Sequence, residues 1–292
     1  MKMSKAQRYV FILIGVGMIA TACNRMQEKF SKNFQENLTA GSEMISPVDG
    51  MVMLYVPAGE FKMGYADGTP AEQPVHTVYV DAFWIDQTEV TNEKYILCED
   101  AGVCTHPKQG AHLEIRDSSV SREFYYGNPQ YGNYPAIYVN YSQAQEYCQW
   151  AGRRLATEAE WEKAARGTDG RIYPWGNEAP NDTLLNYDGN IGDTSEAGTY
   201  PEGASPYGAY DMAGNVWEWV QDWYDPEYYQ QSPKDNPTGP EMGEFFTMRG
   251  GSWKKSERPV RVTYRHWYIP PLIGNIVVSH NYDGFRCAAD PM

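Results

Sequence analysis

Basic residues are scarce in this chain of 292 residues. There are 24 lysines and arginines but 38 aspartates and glutamates, which gives a formal net charge of -14. Proteins that bind nucleic acids need a concentrated basic surface. The charge balance therefore excludes nucleic acid as an expected partner.

The sequence also has little that could span a bilayer, which takes about 20 apolar residues. Basic residues at the start precede a shorter apolar run from Tyr9 to Ala22, and we interpret residues 1–23 as a lipoprotein signal peptide. The small residues before Cys23 resemble the lipobox of bacterial lipoproteins, whose cysteine is diacylated. An uncleaved anchor or an ordinary signal peptide is the alternative. All three place the rest outside the cytoplasm, so we expect a protein of the bacterial cell envelope that is lipid-anchored to the membrane.

No internal repeat and no second hydrophobic core are found in the remainder of the chain. Residues 24–49 are polar and mixed in charge, without sustained apolar periodicity, which is typical of a tether. Residues 50–292 are long enough for one large domain, and we assign them to one.

Three short helices are predicted, over residues 89–101, 142–152 and 157–167. Two of them begin with a capping box, in which Ser or Thr is followed three residues later by Gln or Glu. These boxes start at Ser142 and Thr157.

Strands are predicted as a hairpin over residues 51–63, a half-buried strand over 76–85, and closing strands over 245–253 and 283–289. The segment from Arg171 onwards has little periodicity and is predicted to be rich in loops. Because helices and strands do not alternate, the fold class is predicted to be α+β. The 23 tyrosines, nine tryptophans and 27 glycines indicate much aromatic bulk held by irregular turns.

One stretch, Tyr207–Tyr224, combines aromatic residues with oxygen-bearing side chains and glycines. The glycines can take backbone angles that let carbonyl groups converge. Together with Asp211, Asn215 and Glu218, these carbonyls form the kind of oxygen-rich site that calcium prefers. A tight turn with a satisfied buried carboxylate is the alternative.

Cysteines are few, five in all. Cys98 and Cys104 flank the predicted end of the first helix. In an oxidising compartment such a short-range pair is a candidate disulfide.

Several motifs together resemble one family. They read VPAGEFKMG, WAGRRLATEAEWEKAARG, YPWGN, YGAYDMAGNVWEW, RGGSW and GFRCAAD. In this order, from Val52 to Asp290, they are similar to the formylglycine-generating enzyme, or sulfatase-modifying factor, family. The resemblance implies a single loop-rich domain of the formylglycine-generating-enzyme fold, related to C-type lectin-like folds.

The resemblance also implies two structural calcium ions, bound by Asn, Asp, Glu and loop carbonyls. The residues matching the first site are Asp211, Gly214, Val216 and Glu218. Those matching the second are Asn186, Tyr187 and Asp193.

For the remaining cysteines, the resemblance implies a disulfide between Cys148 and Cys287. With Cys98 paired to Cys104 and Cys23 lipidated, no free thiol remains. This bears on the chemistry, because the family's oxidase activity depends on thiols.

Members of the family use two cysteines after the GGS[WY] motif to bind copper(I) and convert a substrate cysteine into formylglycine. Thiolates are the soft ligands that a cuprous ion requires. Here no cysteine lies between Trp253 and Arg286, so we expect neither copper nor a catalytic residue of this type. The lost positions fall near Val260, Arg261, Arg265 and His266.

An aromatic and basic run follows the RGGSW motif and is a candidate groove for an anionic or aromatic ligand. A salt-bridged surface strand is the alternative. The residues concerned are Arg261, Tyr264, Arg265, His266 and Trp267.

The leading hypothesis is a non-catalytic binding or scaffold lipoprotein with an unknown protein, peptide or glycan ligand. The alternative is an oxidoreductase of the formylglycine-generating type, or an iron-dependent oxidase. The iron of such an oxidase could be bound by His266, His280 and a carboxylate.

Overall fold

The structure is a computed structural model that describes residues 38–107, 125–268 and 280–291. The predicted signal peptide with Cys23, and most of the predicted tether, lie outside the described residues. Residues Ala40–Pro291 form one compact unit. None of the helices in the described ranges has the length and apolarity of a transmembrane span.

Eleven strands occur in the described residues, most of them short. They are Glu43–Ile45 (β1), Val52–Val56 (β2), Gly59–Met63 (β3), His76–Val80 (β4), Phe83–Asp86 (β5), Arg154–Leu155 (β6), Trp217–Trp223 (β7), Phe246–Arg249 (β8), His266–Tyr268 (β9), Asp283–Phe285 (β10) and Cys287–Ala289 (β11).

These strands form three sheets. The largest has the order β1-β2-β5-β11-β6, and its neighbours are all antiparallel. The second has the order β10-β7-β8-β9, in which β10 and β7 are parallel. Strands β3 and β4 form a separate antiparallel pair. With the three helices below, this is the predicted α+β architecture.

The α-helices of the described residues are Asn92–Asp100 (α1), Tyr141–Trp150 (α2) and Glu158–Arg166 (α3). The capping box of Thr157 and Glu160 at the start of α3 is confirmed. The box predicted at Ser142 is wrong, because Asn140 and Gln143 form it two residues earlier. Asn is as good an N-cap as Ser, so the spacing fitted both positions.

The prediction of a loop-rich segment after α3 is confirmed. Between α3 and β7 the chain contains no α-helix or strand, and a 3-10 turn at Pro201–Gly203 is its regular element. The residues predicted to bind calcium lie in these loops and at the start of β7.

The predicted boundary between tether and domain at residue 50 is wrong. Strand β1 pairs with β2, and Asp49 is a buried partner of Arg153. The folded unit therefore begins near residue 40. A strand of three residues is too short to produce a recognisable apolar period.

The hairpin predicted over residues 51–63 is also wrong. Strand β2 pairs with β1 and β5, while β3 pairs with β4. The segments predicted as single strands over 76–85 and 283–289 each contain two strands that belong to different sheets. The pairings of β10 with β7 and of β11 with β5 join segments that are distant in sequence.

Strand β7 is buried on both faces, which explains its unusual composition. Trp217 and Trp219 belong to one hydrophobic cluster, and Val220 belongs to another with Trp161 of α3. Each of these tryptophans is at most 2% exposed. The turn before β7 is thus held in place by large buried rings on either side.

Candidate functional site

The turn before β7 is built from residues that accept left-handed backbone angles. Asp211, Gly214 and Asn215 have φ angles of 55°, 82° and 53°. Asp and Asn tolerate this region better than most residues with a side chain. At Gly214, a Cβ atom would lie 2.3 Å from the carbonyl oxygen of Asn186. Glycine therefore lets the loop that carries Asn186 approach the turn closely.

Two buried carboxyl groups, those of Asp211 and Glu89, meet at this turn. Asp211 Oδ2 accepts a hydrogen bond of 2.6 Å from the backbone N–H of Gly198. Glu89 Oε1 accepts one of 3.0 Å from Asn215 Nδ2. The two carboxyl groups are close enough to share a hydrogen bond when one of them is protonated. No motif in the sequence marks Glu89, because it lies 126 residues from Asn215.

The hydrogen bonds and charges around these two carboxyl groups do not offset the free-energy cost of burying them. Burial raises the pKa of Asp211 to about 6. Burial, followed by the charge of Asp211, raises the pKa of Glu89 well above its ordinary value. Asp211 Oδ1 and Glu89 Oε2 are buried and have no hydrogen-bond partner among the described residues.

Glu218, by contrast, is fully paired. Its Oε1 and Oε2 accept hydrogen bonds of 2.7 Å from Nη2 and Nε of Arg286, and Oε2 also accepts one of 2.7 Å from Trp161 Nε1. Both side chains of the Glu218–Arg286 ion pair are completely buried. The resemblance implied that Glu218 is a calcium ligand, and this stays a prediction; in the structure its carboxylate is bound to Arg286.

The loop residues matched to the second calcium site surround Asn186, whose side chain is fully buried. Asn186 Nδ2 donates to the carbonyl of Asp193 at 2.8 Å and to Asn215 Oδ1 at 3.3 Å. The carbonyl of Tyr187 accepts a hydrogen bond from the backbone N–H of Asn190 at 3.0 Å. Asn215 thus links the loop to the carboxyl pair described above.

The oxygen atoms around this turn fit a hard cation. Asn186 Oδ1, Asp211 Oδ1 and Glu89 Oε2 are each buried without a donor in the described part of the chain. Buried polar atoms are normally paired, and calcium takes carboxylate, amide and carbonyl oxygens as ligands. Residues from three separate segments therefore converge on one oxygen-rich region.

Both predicted disulfides are confirmed. Cys98 is bonded to Cys104, and Cys148 is bonded to Cys287. No thiol is therefore free among the cysteines in the described ranges.

The positions near which copper-binding cysteines were expected have other partners. Val260 is fully buried and packs against Gly251. Arg261 Nη2 donates to both carboxylate oxygens of Glu72, at 2.8 and 2.9 Å. These contacts leave the guanidinium of Arg261 in an ion pair rather than in an open groove.

Arg265 is also a buried ion-pair partner, so its assignment to a groove is wrong. Its Nε and Nη2 donate to the two oxygens of Glu158 at 2.7 and 2.9 Å. Its guanidinium carbon lies 4.2 Å from the ring centroid of Tyr229. Both arginines therefore form salt bridges, as the alternative of a salt-bridged surface strand expected. Neither lies in a strand, however, and Arg265 is buried rather than at the surface.

The aromatic members of the candidate groove differ in exposure. His266 stacks on Trp217 with ring centroids 4.6 Å apart, and burial, helped by the charge of Lys255, lowers the pKa of His266 to about 4. Trp267 is 44% exposed and lies 4.4 Å from the ring of Phe245. Trp267 is thus the accessible part of this surface, together with the partly exposed Tyr264.

His280 is held by two hydrogen bonds through its ring. Its Nδ1 is 2.9 Å from Asp283 Oδ2, and its Nε2 is 2.9 Å from the hydroxyl of Tyr268. Asp283 is buried, and its Oδ1 has no partner among the described residues. Within those residues, no group of three or more His, Cys, Asp or Glu is placed to hold a metal ion.

Two known proteins show what this sequence is similar to. The serine/threonine-protein kinase pkn1 of Chlamydia pneumoniae is 36% identical over 242 residues, which cover 81% of this chain and 37% of that protein. The formylglycine-generating enzyme of Streptomyces coelicolor is 34% identical over 292 residues, which cover 80% of this chain and 88% of the enzyme. The chain thus spans well under half the length of the kinase.

A solved structure is similar in fold as well. PvdO from Pseudomonas aeruginosa superposes with a TM-score of 0.67 at 26% sequence identity, over 86% of this chain and 98% of that chain. The expected relation to C-type lectin-like folds stays a prediction.

Residues 39–291 match the model of the sulfatase-modifying factor enzyme 1-like domain. This match starts just before β1 and covers the whole of the compact unit. It agrees with the motifs recognised in the sequence and with the α+β arrangement of the strands and helices. The chain therefore belongs to the formylglycine-generating enzyme, or sulfatase-modifying factor, family.

Proposed function

We propose that this protein is a membrane-anchored, extracytoplasmic binding or scaffold protein that does not oxidise cysteine. The observation that carries this proposal is the chemistry of the segment after Trp253. Copper(I) needs thiolates, and the segment to Arg286 contains no cysteine. The positions where thiolates were expected are filled by a buried valine and by arginines engaged with Glu72 and Glu158.

The disulfides support the same proposal. A thiolate must be free to bind copper or to exchange with a substrate cysteine. Cys98, Cys104, Cys148 and Cys287 are each consumed in a bridge. Cys23, the fifth cysteine, is assigned to lipidation.

The proposal predicts that the purified protein neither binds copper(I) tightly nor oxidises a peptide thiol. The protein, with its disulfides intact, is titrated anaerobically with cuprous ion in competition with bathocuproine disulfonate. A cysteine peptide is then incubated with the protein, copper and oxygen, and analysed for the aldehyde by mass spectrometry. The Streptomyces coelicolor formylglycine-generating enzyme serves as the positive control. Aldehyde formation at a rate comparable to that of the control would contradict the proposal.

The anchor is a second part of the proposal. Small residues before Cys23 and the apolar run that precedes them support lipidation at this cysteine. A diacyl group gives the two-chain attachment that stable membrane binding requires.

We therefore expect radiolabelled palmitate to be incorporated into the wild-type protein and not into Cys23→Ala when both are expressed in a bacterium with a lipoprotein pathway. Ser4→Ala in the same leader is the matched control and should label normally. Equal labelling of Cys23→Ala and the wild type would contradict lipidation at this residue.

Calcium is the proposed structural ion. The proposed ligands are Asp211, Glu218, Asn186 and Asp193, with the carbonyl groups of Gly214, Val216 and Tyr187, and all are the hard oxygen ligands that calcium prefers. The buried oxygens of Asn186 and Asp211 that lack donors support this assignment. When bound, calcium would supply charge compensation and hold together loops that contain few regular elements.

An oxidoreductase is the second candidate. Its support is the arrangement of His280 beside Asp283, whose second oxygen is buried without a partner, with the charge of Asp283 also acting on His266. Both ring nitrogens of His280 are already engaged by Asp283 and Tyr268. Stoichiometric iron in the purified protein, with iron-dependent oxygen consumption, would favour this candidate over the scaffold.

A further inference from the structure

Strand β9 points successive rings to opposite faces of the second sheet, as alternation along a strand requires. His266 stacks on the buried Trp217. Trp267 instead contacts Phe245, with ring centroids 4.4 Å apart, and lies 6.5 Å from the ring of Tyr224. Trp267 is 44% exposed, and the other two rings are half-buried. Tyr224, Phe245 and Trp267 therefore form one accessible aromatic surface, the Trp267 patch.

The sheet fixes the position of this patch. Thr247 of β8 pairs with Trp267, and the backbone N–H of Tyr224 donates to the carbonyl of Phe245 at 2.7 Å. The guanidinium carbon of Arg265 lies 5.1 Å from the ring centroid of Tyr224. Because Arg265 is buried, its charge is not accessible to a ligand in solution. The chain itself thus already packs an arginine against one ring of the patch.

The surroundings of the patch are acidic. The segment 224–245 begins and ends with two of the rings, and it contains five carboxylate side chains and one lysine. That lysine, Lys234, is ion-paired with Glu60. Glu244 directly precedes Phe245 and is exposed. The accessible charge next to the rings is therefore negative.

This charge distribution reverses the sign of the ligand that the sequence indicated. The aromatic and basic run was a candidate groove for an anionic or aromatic ligand, but Arg261 and Arg265 are ion-paired with Glu72 and Glu158. An aromatic surface with carboxylates beside it is what remains accessible. Aromatic faces and carboxylates both attract cations. The patch is thus complementary to a positively charged group.

We propose that the Trp267 patch is a docking surface for an arginine side chain of a partner protein, whose guanidinium stacks on Trp267 and pairs with Glu244. The proposal rests on the binding function above and names the chemistry of the partner. A guanidinium is planar, so it can stack on a ring and bind a carboxylate at the same time, which a lysine ammonium cannot do as well.

The position of the patch favours a protein chain over a free cation. In the described ranges β9 is the outermost strand on its side of the sheet, and an edge strand offers backbone groups to an extended chain. Tryptophan, tyrosine and arginine are also the residues that supply most of the binding energy in protein interfaces. An arginine within an extended segment would therefore contact both the rings and the edge of the sheet.

The test measures the binding of an acetylated and amidated Gly-Arg-Gly tripeptide to the full-length protein in detergent. Saturation-transfer difference NMR over a range of peptide concentrations gives the dissociation constant and is suited to weak binding. The same tripeptide with citrulline in place of arginine has nearly the same shape but no charge. A third tripeptide carries lysine. Choline chloride represents the cationic headgroup of a lipid.

We expect the arginine peptide to bind about tenfold more tightly than the citrulline peptide, because the charge supplies both the ring contact and the ion pair. Trp267→Leu should weaken binding of the arginine peptide by about fivefold, and Glu244→Gln should weaken it by about threefold. The matched controls are Trp175→Leu and Glu178→Gln, at a partly exposed tryptophan and an exposed glutamate elsewhere. Both controls should bind like the wild type.

The proposal is overturned if the citrulline or lysine peptide binds as tightly as the arginine peptide, or if Trp267→Leu binds like the wild type. Tighter binding of choline than of the arginine peptide would likewise overturn it and would indicate a lipid headgroup. If Trp267→Leu does not fold, the exposed Glu244→Gln carries the test, and its unchanged binding contradicts the ion pair. None of these results alters the peptide-thiol assay, which tests the absence of cysteine oxidation separately.

Discussion

Replacing Cys148 and Cys287 together by alanine is expected to lower the free energy of unfolding by about 5 kcal/mol. The two cysteines are separated by 139 residues in sequence. A disulfide that closes a longer loop removes more conformational entropy from the unfolded chain and therefore stabilises the fold more. Cys98 and Cys104 are separated by six residues, so the same substitution there should cost about 2 kcal/mol. Urea denaturation of both double variants, without reductant, measures the difference.

The position of the long-range bridge adds to this expectation. Cys148 is in α2, and Cys287 begins β11, which lies between β5 and β6 inside the largest sheet. Both cysteines are fully buried, so alanine also leaves unfilled space in the core. If the two double variants lose equal stability, the loop-closure argument is wrong for this protein. A loss of stability in the Cys98 and Cys104 variant alone would also contradict the loop-closure argument.

Local sequence patterns were sufficient where the interaction is local. The capping box of Thr157 and Glu160 lies within four residues, and the structure contains it as predicted. The loop-rich stretch after α3 was likewise recognisable from glycine, proline and polar residues. The pair of Cys98 and Cys104 belongs to the same class, because its members are separated by one short turn.

Strand pairing could not be derived in the same way. Two apolar segments separated by a turn at Pro57 indicated a hairpin, but β2 instead pairs with β5, some thirty residues further along the chain. The apolar pattern specifies which face of a strand is buried, not which strand is its neighbour. The error at β1 has the same origin, since its recognition depends on its contact with β2.

The candidate site shows a similar limit. The sequence identified Asp211 and Asn186 from a motif, but it contained no signal for Glu89, whose contact with Asn215 joins distant segments. The arginines after RGGSW fitted both a ligand groove and a salt-bridged surface strand, because their partners, Glu72 and Glu158, lie more than a hundred residues earlier. Residue types show what chemistry is available, whereas long-range contacts decide which groups are already occupied.

The last of these pairs leads to the second large effect that we expect. Glu158, at the start of α3, accepts hydrogen bonds from Arg265 at 2.7 and 2.9 Å and from Arg249 at 2.7 Å. Burial alone would raise the pKa of Glu158, but the two guanidinium groups hold it below its ordinary value. Glu158→Gln keeps the shape of the side chain and removes its charge. Arg249 would keep its ion pair with Glu162, which also pairs with Arg166, whereas Arg265 would lose its charged partner.

We expect Glu158→Gln to lower the free energy of unfolding by about 3 to 5 kcal/mol, the range for removing one partner of a buried ion pair. Glu178→Gln, at an exposed glutamate, is the control and should change stability by less than about 0.5 kcal/mol. Arg265→Met combined with Glu158→Gln should recover part of the loss, because the uncompensated guanidinium is removed with its partner. Urea denaturation of the wild type, Glu158→Gln, Arg265→Met and the double variant completes the cycle. A loss no larger than that of Glu178→Gln would mean that Arg249 and Arg265 do not depend on Glu158, and the double variant would then show no recovery.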